Sequence, residues 1–131
     1  DTLADRIVNG WMIAPNVTIA SGFPVNVVQG TDLNQDSTNN DRPLFRGRND
    51  TKGPDFREVN LRISRTFSIR ERLRLEIIAE AENLLNSTNA ACGTATGCSG
   101  AVVSRFGAAD FLRVTSALNS RQIQLGGRIR F

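Results

Sequence analysis

Strict alternation of apolar and polar residues recurs in separate stretches of this chain, and it constrains the fold more than any other feature. In residues 121–131, "RQIQLGGRIRF", Ile123, Leu125, Ile129 and Phe131 share one side, with Gly127 among them. Gln122, Gln124, Arg128 and Arg130 share the other, with Gly126. A period of two sends successive side chains to opposite faces of a β-strand. Residues 59–69, "VNLRISRTFSI", repeat the design: Val59, Leu61, Ile63, Phe67 and Ile69 oppose Asn60, Arg62, Ser64, Thr66 and Ser68. Arg65 interrupts the apolar face, where its long stem would carry the charge towards an interface. In residues 11–27, Trp11, Ile13, Val17, Ile19, Phe23, Val25 and Val27 alternate with Met12, Ala14, Asn16, Thr18, Ala20 and Asn26. Pro15 lies inside that stretch and has no amide to give to a ladder.

Residues 68–86, "SIRERLRLEIIAEAENLLN", fit two templates. As a helix they open on a capping box, Ser68 with Glu71, and carry a stripe of Leu73, Ile77, Ala81, Leu84 and Leu85. As a strand, Leu73, Leu75, Ile77, Ala79 and Ala81 alternate with Arg72, Arg74, Glu76, Ile78, Glu80 and Glu82. Intrinsic propensity favours the helix. The neighbouring strands and the short room for a connection near "IRER" favour the strand.

Composition narrows the class. The 131 residues are 40% hydrophobic and 22% charged, which fits an ordered chain. No run approaches the ~20 apolar residues of a spanning helix. The chain starts at Asp1 with no signal-peptide pattern, as expected of a piece of a longer product. The net charge of +3 is spread over arginines interleaved with acids and apolar residues, unlike a nucleic-acid patch. Histidine is absent, which removes the Ser-His-Asp, Cys-His and His-zinc designs. The two cysteines, Cys92 and Cys98 in "CGTATGC", can close a small disulfide ring and would then indicate an oxidising compartment; they are too few for a four-cysteine zinc site.

The connections decide between architectures. The link near residues 69–73 is short, whereas residues 28–55 and 86–121 are long and polar. Such loops are unusual in a compact soluble domain. They are ordinary in an outer-membrane barrel, where short periplasmic turns alternate with long extracellular loops. The sequence therefore predicts an all-β fold: an antiparallel meander of about four strands from the C-terminal end of a transmembrane β-barrel, with two long extracellular loops. Its apolar faces would meet lipid and its charged faces a wet lumen, with Trp11 and Phe67 near the periplasmic interface. A soluble sandwich would instead pack the apolar faces on a second sheet.

Five segments then carry a family resemblance: "GWMIAPNVTIASGFPVNV", "GTDLNQDSTNNDRP", "VNLRISRTF", "LRLEIIAEAENLLNSTN" and "RQIQLGGRIRF". In this order and spacing they resemble the C-terminal end of a TonB-dependent outer-membrane receptor. More narrowly, they are similar to the Oar-like receptors that carry an N-terminal carboxypeptidase-regulatory-like domain. The resemblance covers nearly all of residues 1–131. It implies the last strands of a 22-stranded barrel around a plug, importing a scarce ligand with energy passed from TonB. TonB would be reached only through N-terminal parts that these residues do not include. The implied location is the bacterial outer membrane, and the implied partners are its lipid, the rest of the barrel and the β-barrel assembly machinery. The ending also resembles the assembly signal of such proteins, matched here by Gln124, Gly126, Ile129 and Phe131. Four strands alone cannot close a barrel and would leave bare edges.

Other candidate sites weigh less. Asp32, Asn34 and Asp36 in "DLNQDSTNND" have the spacing of calcium ligands, but Ser37 stands where the EF-hand turn wants glycine and Pro43 where its glutamate belongs. The bland reading is a turn-rich loop. Glu76, Glu80 and Glu82 share a strand face, but no nucleophile or cleft accompanies them, so a charged lumen wall explains them better than catalysis. "NVT" at Asn16 and "NST" at Asn86 match glycosylation sequons by chance. The expected function is transport without enzymatic chemistry. A small β-rich surface-binding or adhesive module with loop-borne contacts is the alternative, and a soluble α+β domain with a helix over residues 69–86 is a third reading.

Overall fold

The computed structural model of the chain describes residues 9–92 and 100–131. Its elements are β1 (Trp11–Ala20), β2 (Pro24–Val25), β3 (Thr51–Lys52), β4 (Phe56–Ser68), β5 (Arg74–Glu82) and β6 (Gln122–Arg130). The described residues contain strands and no helix. They divide into two compact units. The first comprises residues 9–18, Glu58–Ser87 and Asn119–Phe131, and the second comprises Ile19–Arg57 with the described part of Thr88–Leu118.

The first unit is built on a four-stranded sheet ordered β1-β4-β5-β6, a meander in which β1 and β6 are the edges. β4 pairs antiparallel with β5 from Leu61↔Ala81 to Ser68↔Arg74. β5 pairs antiparallel with β6 from Arg74↔Arg130 to Glu82↔Gln122. Trp11 lies beside Arg65, and Asn16 shares a cleft with Asn60, so β1 runs opposite to β4. The main strands have 10, 13, 9 and 9 residues; three match the ~9–11 that a tilted strand needs to cross a membrane, and β4 exceeds it. A tight turn over residues 69–73 joins β4 to β5, held by the Ile69 amide on the Leu73 carbonyl at 2.9 Å.

Residues 74–82 are thus a strand, and tertiary pairing overrides their helical propensity. β5 is hydrogen-bonded on both sides, which a helix there would forfeit. Pro15 sits within β1, an outer strand of the four-stranded sheet.

One sequence expectation is corrected. β1 ends at Ala20 and does not carry its alternation on to Val27. Val25 and Val27 are fully buried and belong to the second unit. There Val25 and Val102 form a small core, with Ala90, Cys92, Leu112 and Val114 packed against it. The described parts of the long connections are therefore structured. β2 pairs antiparallel with β3, and Val102 bridges Val114. Gly22 makes the entry possible: a Cβ there would run into the Gly53 carbonyl oxygen, and its amide donates to Asp55 Oδ1 at 2.9 Å. Asn89 is buried and stands in for a strand partner. It donates from Nδ2 to the Arg57 carbonyl at 2.8 Å and accepts from the Arg57 amide at 2.9 Å.

The sheet unit has no comparable core. Among the described residues, every buried hydrophobic side chain lies in the second unit. Many large apolar residues of the sheet stay exposed, Leu125 at 81% and Ile123 at 66% among them, and Leu61, Ile63 and Leu75 are only half-buried.

Candidate functional site

The two faces of the sheet separate by residue parity. Pairing in register keeps odd-numbered residues of β4, β5 and β6 on one side: Leu61, Ile63 and Phe67; Leu75, Ile77, Ala79 and Ala81; Ile123, Leu125 and Ile129. Even-numbered residues form a wall that is polar apart from Ile78 and Gly126. Arg62 lies opposite Glu80 and donates from Nη1 to Oε1 at 2.6 Å. Glu80 in turn lies opposite Gln124, and Glu82 opposite Gln122. β1 follows the same rule, since Ala14 and Asn16 join Asn60, Arg62, Glu80 and Gln124 around a cleft of about 240 Å³. Glu76 lies opposite Arg128 and approaches Arg128 and Arg130 at 3.6 and 4.0 Å.

An apolar sheet face left exposed or half-exposed is costly in water and stable in lipid. A wall of ions is costly in lipid and stable in water. The sheet is therefore the wall of a barrel that separates the two media. In sequence, residues 45–124 match the family of the outer membrane beta barrel domain, more than half of the chain. The chain belongs to that family. As an outer membrane beta barrel domain it resides in the bacterial outer membrane. No curated protein and no solved structure matches the chain.

Arg65, a charged residue on the barrel domain's outward face, lies between two rings, its guanidinium 5.2 Å from the Trp11 centroid and 4.7 Å from that of Phe67. These distances suit cation–π attraction, which disperses charge at the edge of an apolar surface. All three residues stand at the turn end of the sheet, where an aromatic girdle is expected.

The residues matched to an assembly signal lie along β6 and just past it. Gln124 and Gly126 are on the polar side, opposite Glu80 and Ile78. Ile129 is on the outward side, opposite Leu75, and Phe131 is 99% exposed beyond the end of β6. β6 is an edge of the sheet, so its outer row of backbone groups faces away from β5.

Asp32, Asn34 and Asp36 come together in the first long connection, where their oxygens accept from the loop's own amides. Asp32 takes the amides of Asp36 and Ser37, Asn34 takes that of Asp36, and Asp36 takes that of Thr38. Hydrogen bonds from the Asn34 side chain and the Thr38 amide hold the Asp36 carboxyl below the usual carboxylate range. Ser37 has φ 68°, the left-handed turn that favours glycine. Among the described residues, no three His, Cys, Asp or Glu side chains converge as a metal cage requires. Of the two cysteines, Cys92 packs on the small core and Cys98 lies outside the described residues.

Sequence reasoning missed Asn83. It is buried just after β5, with φ 47°. Its Nδ2 donates to the carbonyls of Ser87 and Asn119 at 2.9 and 3.1 Å. Its Oδ1 accepts from the Ser87 amide at 2.9 Å, and its own amide donates to Asn60 Oδ1 at 2.8 Å. Asn86, at φ 52°, accepts from the Arg121 amide at 3.0 Å. Together they tie the exit of β5 to the entry of β6. The available signal was the pair of asparagines in "ENLLN", a residue type that tolerates the left-handed region.

Proposed function

We propose that this chain supplies the closing strands of a TonB-dependent receptor of the Oar-like kind, which imports a scarce ligand with TonB-supplied energy and performs no enzymatic chemistry of its own. The observation that carries the reading is the polar wall. Ion pairs such as Arg62–Glu80, facing away from the lipid side, suit the lining of a water-filled lumen. Four strands leave two edges, so the wall needs the remainder of its barrel. Cross-linking the complete protein in cells to the periplasmic domain of TonB tests this. A specific cross-link is expected, and its absence with an intact barrel would leave the loop-borne binding module. That second reading draws on the core of the second unit and on its exposed Leu44 and Phe45.

The β-barrel assembly machinery would read β6 by edge pairing, with Phe131 as the anchoring side chain. Burying a phenylalanine is worth about 1.5–3 kcal/mol. Deletion of Phe131 should therefore lower the amount of folded barrel in outer-membrane fractions by roughly tenfold or more. Unchanged assembly kinetics in the truncated protein would show that Phe131 only caps a lipid-facing strand.

A Cys92–Cys98 disulfide belongs to the same reading, since the outer loops meet an oxidising compartment. Thiol titration of the chain, denatured without reductant, should find no free thiol. Two titratable thiols would refute the pairing.

A further inference from the structure

Three arginines meet at the turn end of the polar wall with one carboxylate between them. Arg74 and Arg130 are directly opposed in the β5–β6 register, and Arg128 is opposed to Glu76. Thr66 faces Glu76 from β4. Like charges in directly opposed positions repel, and one carboxylate leaves two positive charges unbalanced. Nor does Glu76 bind its neighbours closely. Its 3.6 and 4.0 Å distances to Arg128 and Arg130 exceed the about 2.7–2.9 Å of a charge-assisted hydrogen bond. Further along the same wall Arg62 and Glu80 do reach such a contact, at 2.6 Å. Among the described residues, no acceptor takes a hydrogen bond from Arg74, Arg128 or Arg130. Thr66, Glu76 and the three arginines enclose a cleft of about 90 Å³, room for one small oxyanion group.

We propose that Arg74, Arg128 and Arg130 bind the carboxylate or phosphate group of a small anionic solute in the lumen, with the Thr66 hydroxyl as a further donor. Guanidinium forks match such groups in two-point contacts, which a lone ammonium does not. Glu76, beside Arg128 and Arg130, keeps the cluster from being purely cationic. The other carboxylates of the wall, Glu58, Glu80 and Glu82, lie towards the far end of the sheet, away from the arginine cluster. The proposal rests on the reading of the polar face as a water-filled lumen.

The test uses the complete barrel that contains this chain, folded in zwitterionic detergent, with inorganic phosphate as the probe. Phosphate should raise the melting temperature more than chloride at matched ionic strength. Arg74→Gln and Arg130→Gln should each raise the half-saturating phosphate concentration about tenfold, the loss of one charge-assisted contact. Equal effects of phosphate and chloride on the wild type would mean simple screening and overturn the site. Destabilisation by Arg74→Gln without phosphate would also overturn it, because an acidic side chain of the barrel would then already occupy the cluster. A separate measurement reads the lumen. The Gln122→Cys variant should react with a charged maleimide in the folded barrel. Failure to react removes the lumen reading, whereas reaction without any phosphate effect removes the anion site alone.

Discussion

Leu125→Arg should destabilise the folded barrel strongly, while Gln124→Arg, one residue away, should cost little. Leu125 lies mid-strand on the outward face and is 81% exposed. In the assembled barrel that exposure is to hydrocarbon. An arginine near the midplane of the lipid face costs about 2–4 kcal/mol, or roughly one to three decades in the folding equilibrium. Gln124 is on the opposite face, directly across from Glu80. An arginine there would gain a partner and remain in water. Urea unfolding of the two variants in lipid vesicles separates them. Equal costs would mean that the odd-numbered face does not meet lipid, and the assignment of faces would fall.

Asn83→Ala should be comparably damaging for a different reason. The substitution removes the side-chain bonds to Ser87 and Asn119 and leaves their backbone groups without partners. A buried polar group stripped of its partner costs about 1–3 kcal/mol. Alanine also pays more than asparagine to hold φ near 47°. A total of about 3 kcal/mol is expected from these terms, read as a lower unfolding midpoint and faster proteolysis within residues 83–121. Asn83→Asp keeps the acceptor and the backbone preference, so it should lose roughly half as much by the same reasoning. Ser68→Ala, at the exposed end of β4, serves as the control and should stay within about 0.5 kcal/mol. An Asn83→Ala variant no worse than this control would show that the β5–β6 connection holds without its asparagine hub.

Much of the barrel wall was legible from period two. The apolar sets of residues 59–69 and 121–131 lie together on one face of the sheet, and Arg62, Arg128 and Arg130 on the other. The same rule misled at Val25 and Val27. Both continue the alternation of β1, yet both are buried in the second unit. Alternation records which side of a strand a residue takes and says nothing about where one strand stops and another begins. Residues 68–86 could not be resolved locally, because the helical stripe and the strand face share Leu73, Ile77 and Ala81. The Asp32–Asp36 stretch was legible as turn chemistry. Its oxygens are engaged with the loop's own amides. The three-arginine cluster was not legible, since Arg74 and Arg130 are 56 positions apart in the chain (130 − 74) and meet only through strand pairing.

The sequence by itself determined which residues share a face, because the direction of each Cβ follows from local backbone geometry that any strand obeys. It also determined that one face would be apolar and the other ionic, a pattern that a membrane barrel and a soluble sandwich share and that the long polar connections turned towards the barrel. Only the tertiary structure decided the register that sets Arg62 against Glu80 and Arg74 against Arg130, the small core of the second unit, and the role of Asn83. Each of these depends on pairing or packing between residues distant in the chain, and a one-residue slip would leave the local pattern intact while exchanging every partner.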